Sequence, residues 1–242
     1  PSSTNVGIFY YYCAITFPNL NGSCSSVPTN VAVITINQSS TIDVQPLPTQ
    51  TICVGGSITN PLTVSFINGT GTASYQWYSN TTNSSTGGTP VGTNSPNYTP
   101  PAFTNIGSFY YYVIISFTGN GCGSITSTIA QIDVVNDPTI LSQPLATQTI
   151  CQNATPTNLT ITSSGGIGSN YSYQWYSNTS NNTTSGTLLS GATNDTYTPS
   201  TANVGTLYYY CIINQATGTG CNATSANSTV VVNLAPAFTN SL

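Results

Sequence analysis

Apolar and polar residues alternate in short runs along this chain: Leu62 to Phe66 reads LTVSF, Tyr75 to Ser79 YQWYS, Ser108 to Phe117 SFYYYVIISF, and Ile129 to Val135 IAQIDVV. A period of two sends successive side chains to opposite faces of a strand, so each run predicts a β-strand with one face in a core. Clusters of Gly, Asn, Pro and Ser separate the runs and mark turns. No stretch carries a helical period. The pattern predicts an all-β chain of antiparallel strands.

The runs recur. Asn5 to Cys13 reads NVGIFYYYC, Asn105 to Val113 NIGSFYYYV and Asn203 to Cys211 NVGTLYYYC, at steps of 100 and 98 residues. QTIC begins at Gln50 and Gln148, and YQWYSNT at Tyr75 and Tyr173. This period is too long for a solenoid unit and suits a whole small domain. The chain therefore divides into the C-terminal part of a truncated module (1–37), modules at 38–136 and 137–233, and the start of a further module (234–242), as expected of an excerpt. Strands of this length in modules of this size predict two-sheet antiparallel sandwiches in an elongated array.

Composition narrows the chemistry. There is no Lys, Arg or His, and the four acidic residues are Asp43, Asp133, Asp137 and Asp195. A histidine base, a Schiff-base lysine or an arginine clamp needs residues that are absent, so no enzyme is expected. Neither a zinc-type spacing nor enough clustered oxygen donors for calcium is present, and no cofactor or metal is expected. Nucleic acid is excluded as a partner for want of cations. No apolar run of 18 residues or basic leader occurs, so no membrane insertion or signal peptide is expected in this segment. The 16 Tyr, 7 Phe and 2 Trp supply a core that a disordered chain lacks. Seven cysteines on a charge-poor, Thr-rich chain point to an oxidising, extracellular setting.

Three landmarks resemble the immunoglobulin fold: an alternating strand B (Leu159, Ile161), a strand C tryptophan (Trp175) and Tyr-x-Cys on strand F (Tyr209, Cys211). Their equivalents are Leu62 and Val64, Trp77, then Tyr111 and Val113. Strand B has no cysteine, so Cys13 and Cys211 lack the usual cross-sheet partner, and Val113 holds the same place. Cys13 and Cys211 are expected to be buried free thiols. The disulfide candidates are Cys53 and Cys151 in QTIC, with Cys24, Cys122 and Cys221 after strand F. Two pairings stay open. One joins Cys53 to Cys122 and Cys151 to Cys221 within modules. The other joins Cys53 to Cys221 between modules, leaving Cys24, Cys122 and Cys151 for neighbours. Since the two cysteines of one module fall at opposite poles, disulfide reach leans to the second.

The ICVGG and ICQNA segments, the YQWYSNT strand, the YTP at Tyr98 and Tyr197, the YYYC or YYYV strand and the following Gly-Cys resemble the immunoglobulin-like repeats of very large cell-surface proteins of gliding Bacteroidota. The resemblance implies exported adhesins or filaments, secreted by a type IX signal outside this segment. It makes the expected role a non-catalytic stalk, whose partners are other copies or neighbouring modules. Such modules also decorate secreted enzymes.

A different reading makes the array a glycan binder. With Tyr111 and Val113 inward, alternation predicts Tyr78, Tyr110 and Tyr112, and in the next module Tyr176, Tyr208 and Tyr210, as an outward aromatic face for surface glycans or another filament. Gln45-Pro46 and Gln143-Pro144 read as stiff interdomain linkers.

Overall fold

The computed structural model describes residues 4–16, 27–119, 123–215 and 219–236. Cys24 and Cys122 lie outside them. Among the described residues every regular element is a strand, and two equivalent sandwiches account for most of them.

In the first, one sheet runs in the order Thr89–Val91, Ala73–Asn80, Gly107–Phe117, Ala130–Val135 and Thr49–Cys53. All neighbours are antiparallel except the last pair, in which Cys53 lies opposite Val135. Facing this sheet, Thr41–Val44 pairs with Ser65–Ile67, and Leu62–Thr63 pairs with Asn97–Tyr98. A first strand that begins in one sheet and crosses to pair in parallel with the last strand of the other is the immunoglobulin-like arrangement. The second sandwich repeats it with Thr187–Leu188, Ser172–Asn178, Gly205–Asn214, Ser228–Asn233 and Thr147–Cys151. The chain is thus built of all-β, immunoglobulin-like modules in tandem.

The crossing explains the Gln-Pro pairs, which are not linkers. Gln45-Pro46 sits between Thr41–Val44 and Thr49–Cys53 of one sandwich, with Pro46 buried. The Gln45 side-chain oxygen accepts the Thr128 N–H at 2.9 Å, and that of Gln143 accepts the Ala226 N–H at 2.8 Å. The proline interrupts the ladder where the strand changes sheet, and the glutamine ties that switch to the start of the last strand.

The core follows from the alternation. Leu62, Val64, Trp77, Tyr111, Val113, Ile115 and Ile132 are buried together, as are Leu159, Ile161, Trp175, Tyr209, Cys211, Ile213 and Val230. Each indole N–H meets a carbonyl, that of Ser95 at 3.0 Å for Trp77 and that of Asn194 at 2.9 Å for Trp175. Such pairing is what lets a tryptophan be fully buried without loss. Tyr98 stacks on Trp77 and Tyr197 on Trp175, which gives the repeated YTP its role. Cys211 has no sulfur partner; burial pushes its thiol up to about 11, against a smaller lowering by the Gln174 backbone.

Residues 4–16 and 27–36 form a different object. Gly7–Tyr11 pairs with Ala32–Ile36, and among the described residues no second sheet covers this hairpin. Cys13 is consequently an exposed free thiol, where the repeat predicts a buried one. The physical reason is visible in the repeat itself: Tyr12 is 67% exposed, whereas its equivalent Tyr112 is 2% exposed. Burial belongs to the neighbours of a strand, and among the described residues no tryptophan strand lies beside this YYY phrase.

Candidate functional site

Two features stand out at the surfaces of the sandwiches, a backbone junction at one end of the first and a covered tyrosine face present in both. At the junction, Cys53 of the first sandwich is joined to Cys221 of the second by a disulfide with an S–S distance of 2.06 Å and a Cα–Cα distance of 4.9 Å. The pairing within modules left open by sequence is thereby replaced for these residues. Around the bond, the Cys53 N–H donates to the Thr219 carbonyl at 3.0 Å, so one hydrogen bond crosses beside one covalent link.

Small residues permit that approach. A Cβ on Gly56 would lie 1.9 Å from the Thr219 carbonyl oxygen. A Cβ on Gly220 would lie 2.6 Å from Gly56 Cα, and Gly220 has φ +79°. Glycine is required at both sites, on one side for space and on the other for space and backbone angle. The turn below is held by the Gly56 N–H to the Cys53 carbonyl at 3.0 Å and the Gly55 N–H to the Phe103 carbonyl at 2.7 Å. Cys53, Cys221, Ile52 and Thr219 are buried, so the joint excludes water. The cysteines stand out in the sequence whereas Gly56 and Gly220 do not, their one signal being the ICVGG and TGC context of each cysteine.

Cys151, the equivalent of Cys53, is a free and exposed thiol. At the same end, where Val232 lies opposite Ile150, the second sandwich has an open cavity of about 290 Å³ lined by Leu207, Tyr209, Val230 and Val232 among others. At the same end of the first sandwich Phe103 packs on Phe109 with ring centroids 4.8 Å apart, where the second has Thr201 and Leu207.

The expected aromatic contact face is corrected by the structure. Tyr112 and Tyr210 are buried, and Tyr78, Tyr110, Tyr176 and Tyr208 are half-buried. The strand phase places Tyr111 and Val113 in the core, but the far side of the sheet is not open, because a loop folds over it. Tyr78 stacks on Tyr112 at 5.1 Å and 9°, and Tyr176 on Tyr210 at 5.1 Å and 8°. The Gly88 N–H donates to the Tyr112 hydroxyl at 3.3 Å, and the Gly186 N–H to the Tyr210 hydroxyl at 3.2 Å. Gly186 has no room for a side chain, since a Cβ would meet the Tyr210 ring at 2.7 Å.

Asparagine shapes that loop. The Asn80 amide donates to the Ser84 and Thr86 carbonyls at 3.1 and 3.0 Å, and Asn178 to the Asn182 and Thr184 carbonyls at 3.3 and 3.1 Å. The SNT that ends YQWYSNT is therefore a loop former. The aspartates also have local duties: Asp133 accepts the Ser108 hydroxyl at 2.6 Å and the Gln131 amide at 2.8 Å, and Asp43 accepts the Ser65 hydroxyl at 2.5 Å. Among the described residues no three His, Cys, Asp or Glu gather as metal ligands.

A family model described as a domain of unknown function, DUF8696, matches residues 143–234. No curated protein matches the chain. Among solved structures, the fibronectin(III)-like modules of Clostridium thermocellum CbhA are 16% identical over 81% of this chain and 93% of theirs, with a TM-score of 0.41. Extracellular domains 3–5 of Drosophila OTK are 14% identical over 93% of this chain and 70% of theirs, with a TM-score of 0.40. Immunoglobulin domains 1–5 of Sidekick-1 are 16% identical over 97% of this chain and 47% of theirs, at 0.38. Among the described residues no helix is long and apolar enough to cross a membrane.

Proposed function

We propose that this chain is a non-catalytic segment of an extracellular stalk, with modules at 38–136 and 137–233 joined by a covalent staple that limits bending between them. The observation that carries the reading is the Cys53–Cys221 bond, whose two ends are 168 residues apart in sequence and belong to different sandwiches. A linker alone is one tether and leaves a hinge. A second covalent strand at the same joint, with the Thr219 carbonyl bonded to the Cys53 N–H beside it, removes that hinge. A buried disulfide also fits an oxidising compartment outside the cell.

The motif resemblance supports a finer reading, in which the parent is a giant surface adhesin or filament of a gliding Bacteroidota species exported by the type IX route. Repetition then adds length between the cell and an adhesive tip, and the partners are neighbouring modules of the same protein. Since loops cover the tyrosine rows, glycan capture by those rows is not part of this proposal.

Small-angle X-ray scattering of the full chain before and after reduction tests the stalk. The expected result is a narrow distribution of long dimensions that broadens and shortens when the bond is cut, and in Cys221→Ser without reductant. Scattering unchanged by reduction would show that the staple does not hold the joint.

A further inference from the structure

The end of the second sandwich around Cys151 repeats the seat that Cys53 provides in the first. Cys151 closes strand Thr147–Cys151 opposite Asn233, as Cys53 closes Thr49–Cys53 opposite Val135. The turn that follows is held by the same two bonds, the Ala154 N–H to the Cys151 carbonyl at 3.1 Å and the Asn153 N–H to the Thr201 carbonyl at 3.0 Å. The sulfurs differ: Cys53 is fully buried in its disulfide, while Cys151 is exposed and free. At the same end, where Val232 lies opposite Ile150, a 290 Å³ cavity opens beside Leu207, which is 37% exposed above the buried Tyr209, Val230 and Val232. We infer that this end is a docking surface for another module of the same repeat, which enters by its Gly-Cys loop and forms a disulfide with Cys151. In a solution of this chain, a second copy supplies that module. The inference rests on the stalk reading above and extends it from one joint to the next.

One residue sets this seat apart. Ala154 stands where the first sandwich has Gly56, and a Cβ there would sit 1.9 Å from the carbonyl oxygen of a loop docked as Thr219 is. The incoming loop must therefore stand back from the methyl group. A disulfide permits this, because Cα separations up to about 6.8 Å are tolerated and the Cys53 joint uses 4.9 Å. The joint at Cys151 thus forms in a displaced geometry, and more slowly than the glycine joint.

The bond forms by thiol–disulfide exchange with a small-molecule disulfide such as oxidised glutathione. The Cys151 thiolate attacks one sulfur and expels one glutathione thiolate. The thiolate of the incoming loop then attacks the mixed disulfide at Cys151 and expels the second. Two protein thiols are oxidised, one glutathione disulfide is reduced to two thiols, and the two protons that leave the protein thiols end on the glutathione thiols.

The test is the full chain incubated in a glutathione redox buffer, followed by non-reducing electrophoresis and mass spectrometry of unreduced peptides. Disulfide-linked multimers are expected that contain Cys151 joined to Cys122, whose preceding Gly121 matches Gly220. They are expected to vanish in Cys151→Ser and to accumulate severalfold faster in Ala154→Gly. Recovery of Cys151 only as a free thiol or glutathione adduct, in both wild type and Ala154→Gly, would overturn the inference, as would a symmetric Cys151–Cys151 link. The same map reports Cys53–Cys221. Its absence would count against the stalk reading, whereas its presence without a Cys151 link would count against this inference alone.

Discussion

Gly56 and Gly220 meet backbone to backbone across the joint, so closely that a Cβ on Gly220 would lie 2.6 Å from Gly56 Cα and 2.8 Å from its nitrogen. The contact has no slack for a methyl group on either side, and the Thr219 carbonyl beside it closes the remaining space. Gly56→Ala is therefore expected to leave both sandwiches folded and to push the Thr219 loop back, so that the Cys53–Cys221 bond closes in a displaced geometry and more slowly, as at Ala154. Thiol titration during reoxidation of the reduced protein in a glutathione buffer should then show the Cys53 and Cys221 thiols disappearing severalfold more slowly than in wild type. An unchanged rate would mean that the backbone shifts freely to admit the methyl.

The tyrosine that lies under the loop is expected to behave as a core residue. Tyr112→Phe removes one hydroxyl that accepts the Gly88 N–H and should cost about 0.5–1.5 kcal/mol, with Tyr210→Phe similar. Tyr112→Ala removes the ring that stacks on Tyr78 and should cost about 3–5 kcal/mol. Denaturant unfolding of the two variants checks this. Equal, near-zero losses would return Tyr112 to the surface.

Cys211 gives the fold a pH limit. Its folded thiol is raised by burial from the usual 9.0 to about 11, so the unfolded chain gives up this proton first as pH rises. The stability it protects is fully present below pH 9 and is lost between about pH 9 and 11. Cys211→Val, which installs the residue that the first sandwich has as Val113, is expected to flatten the decline in melting temperature over that window. Tyr111 and Tyr209, raised by burial to about 12 with Tyr98 and Tyr197 beside them, extend the loss to higher pH in both proteins.

The cavity over Leu207 is expected to accept the side chains that the first sandwich already uses. Thr201→Phe with Leu207→Phe, copying Phe103 and Phe109, should raise the melting temperature of the second sandwich by about 4–8 °C if the rings recover ~1 kcal/mol. Calorimetry of the double variant decides it, and a lowered transition would show that the strand ends cannot spread to take the rings.

Much of this was legible in the sequence, and the exceptions share a cause. Alternation located the strands and gave the phase that buries Tyr111, Val113, Trp77 and their equivalents, because a period of two is a local property of the chain. What covers a face is not local. Tyr112 obeys the outward phase, yet Asn80 folds the following loop over it through two carbonyls, and no pattern in the YYY run reports that. Cys13 failed the opposite way: its own strand matches that of Cys211, but the neighbours that bury Cys211 are not packed on it. The Gln-Pro pairs looked like linkers because proline marks a break in pairing, and a strand that changes sheets needs such a break inside a module. The cysteine joint was within reach only as one of two pairings, since the choice depends on which poles meet.

Disulfide mapping of the unreduced protein, cut at aromatic residues because trypsin has no site here, tests the central claim most directly. The expected result is a linked peptide pair containing Cys53 and Cys221, with Cys211 recovered as a free thiol only after unfolding. A pair joining Cys53 to Cys122, or Cys151 to Cys221, would place the bridges inside the modules and contradict the stapled joint.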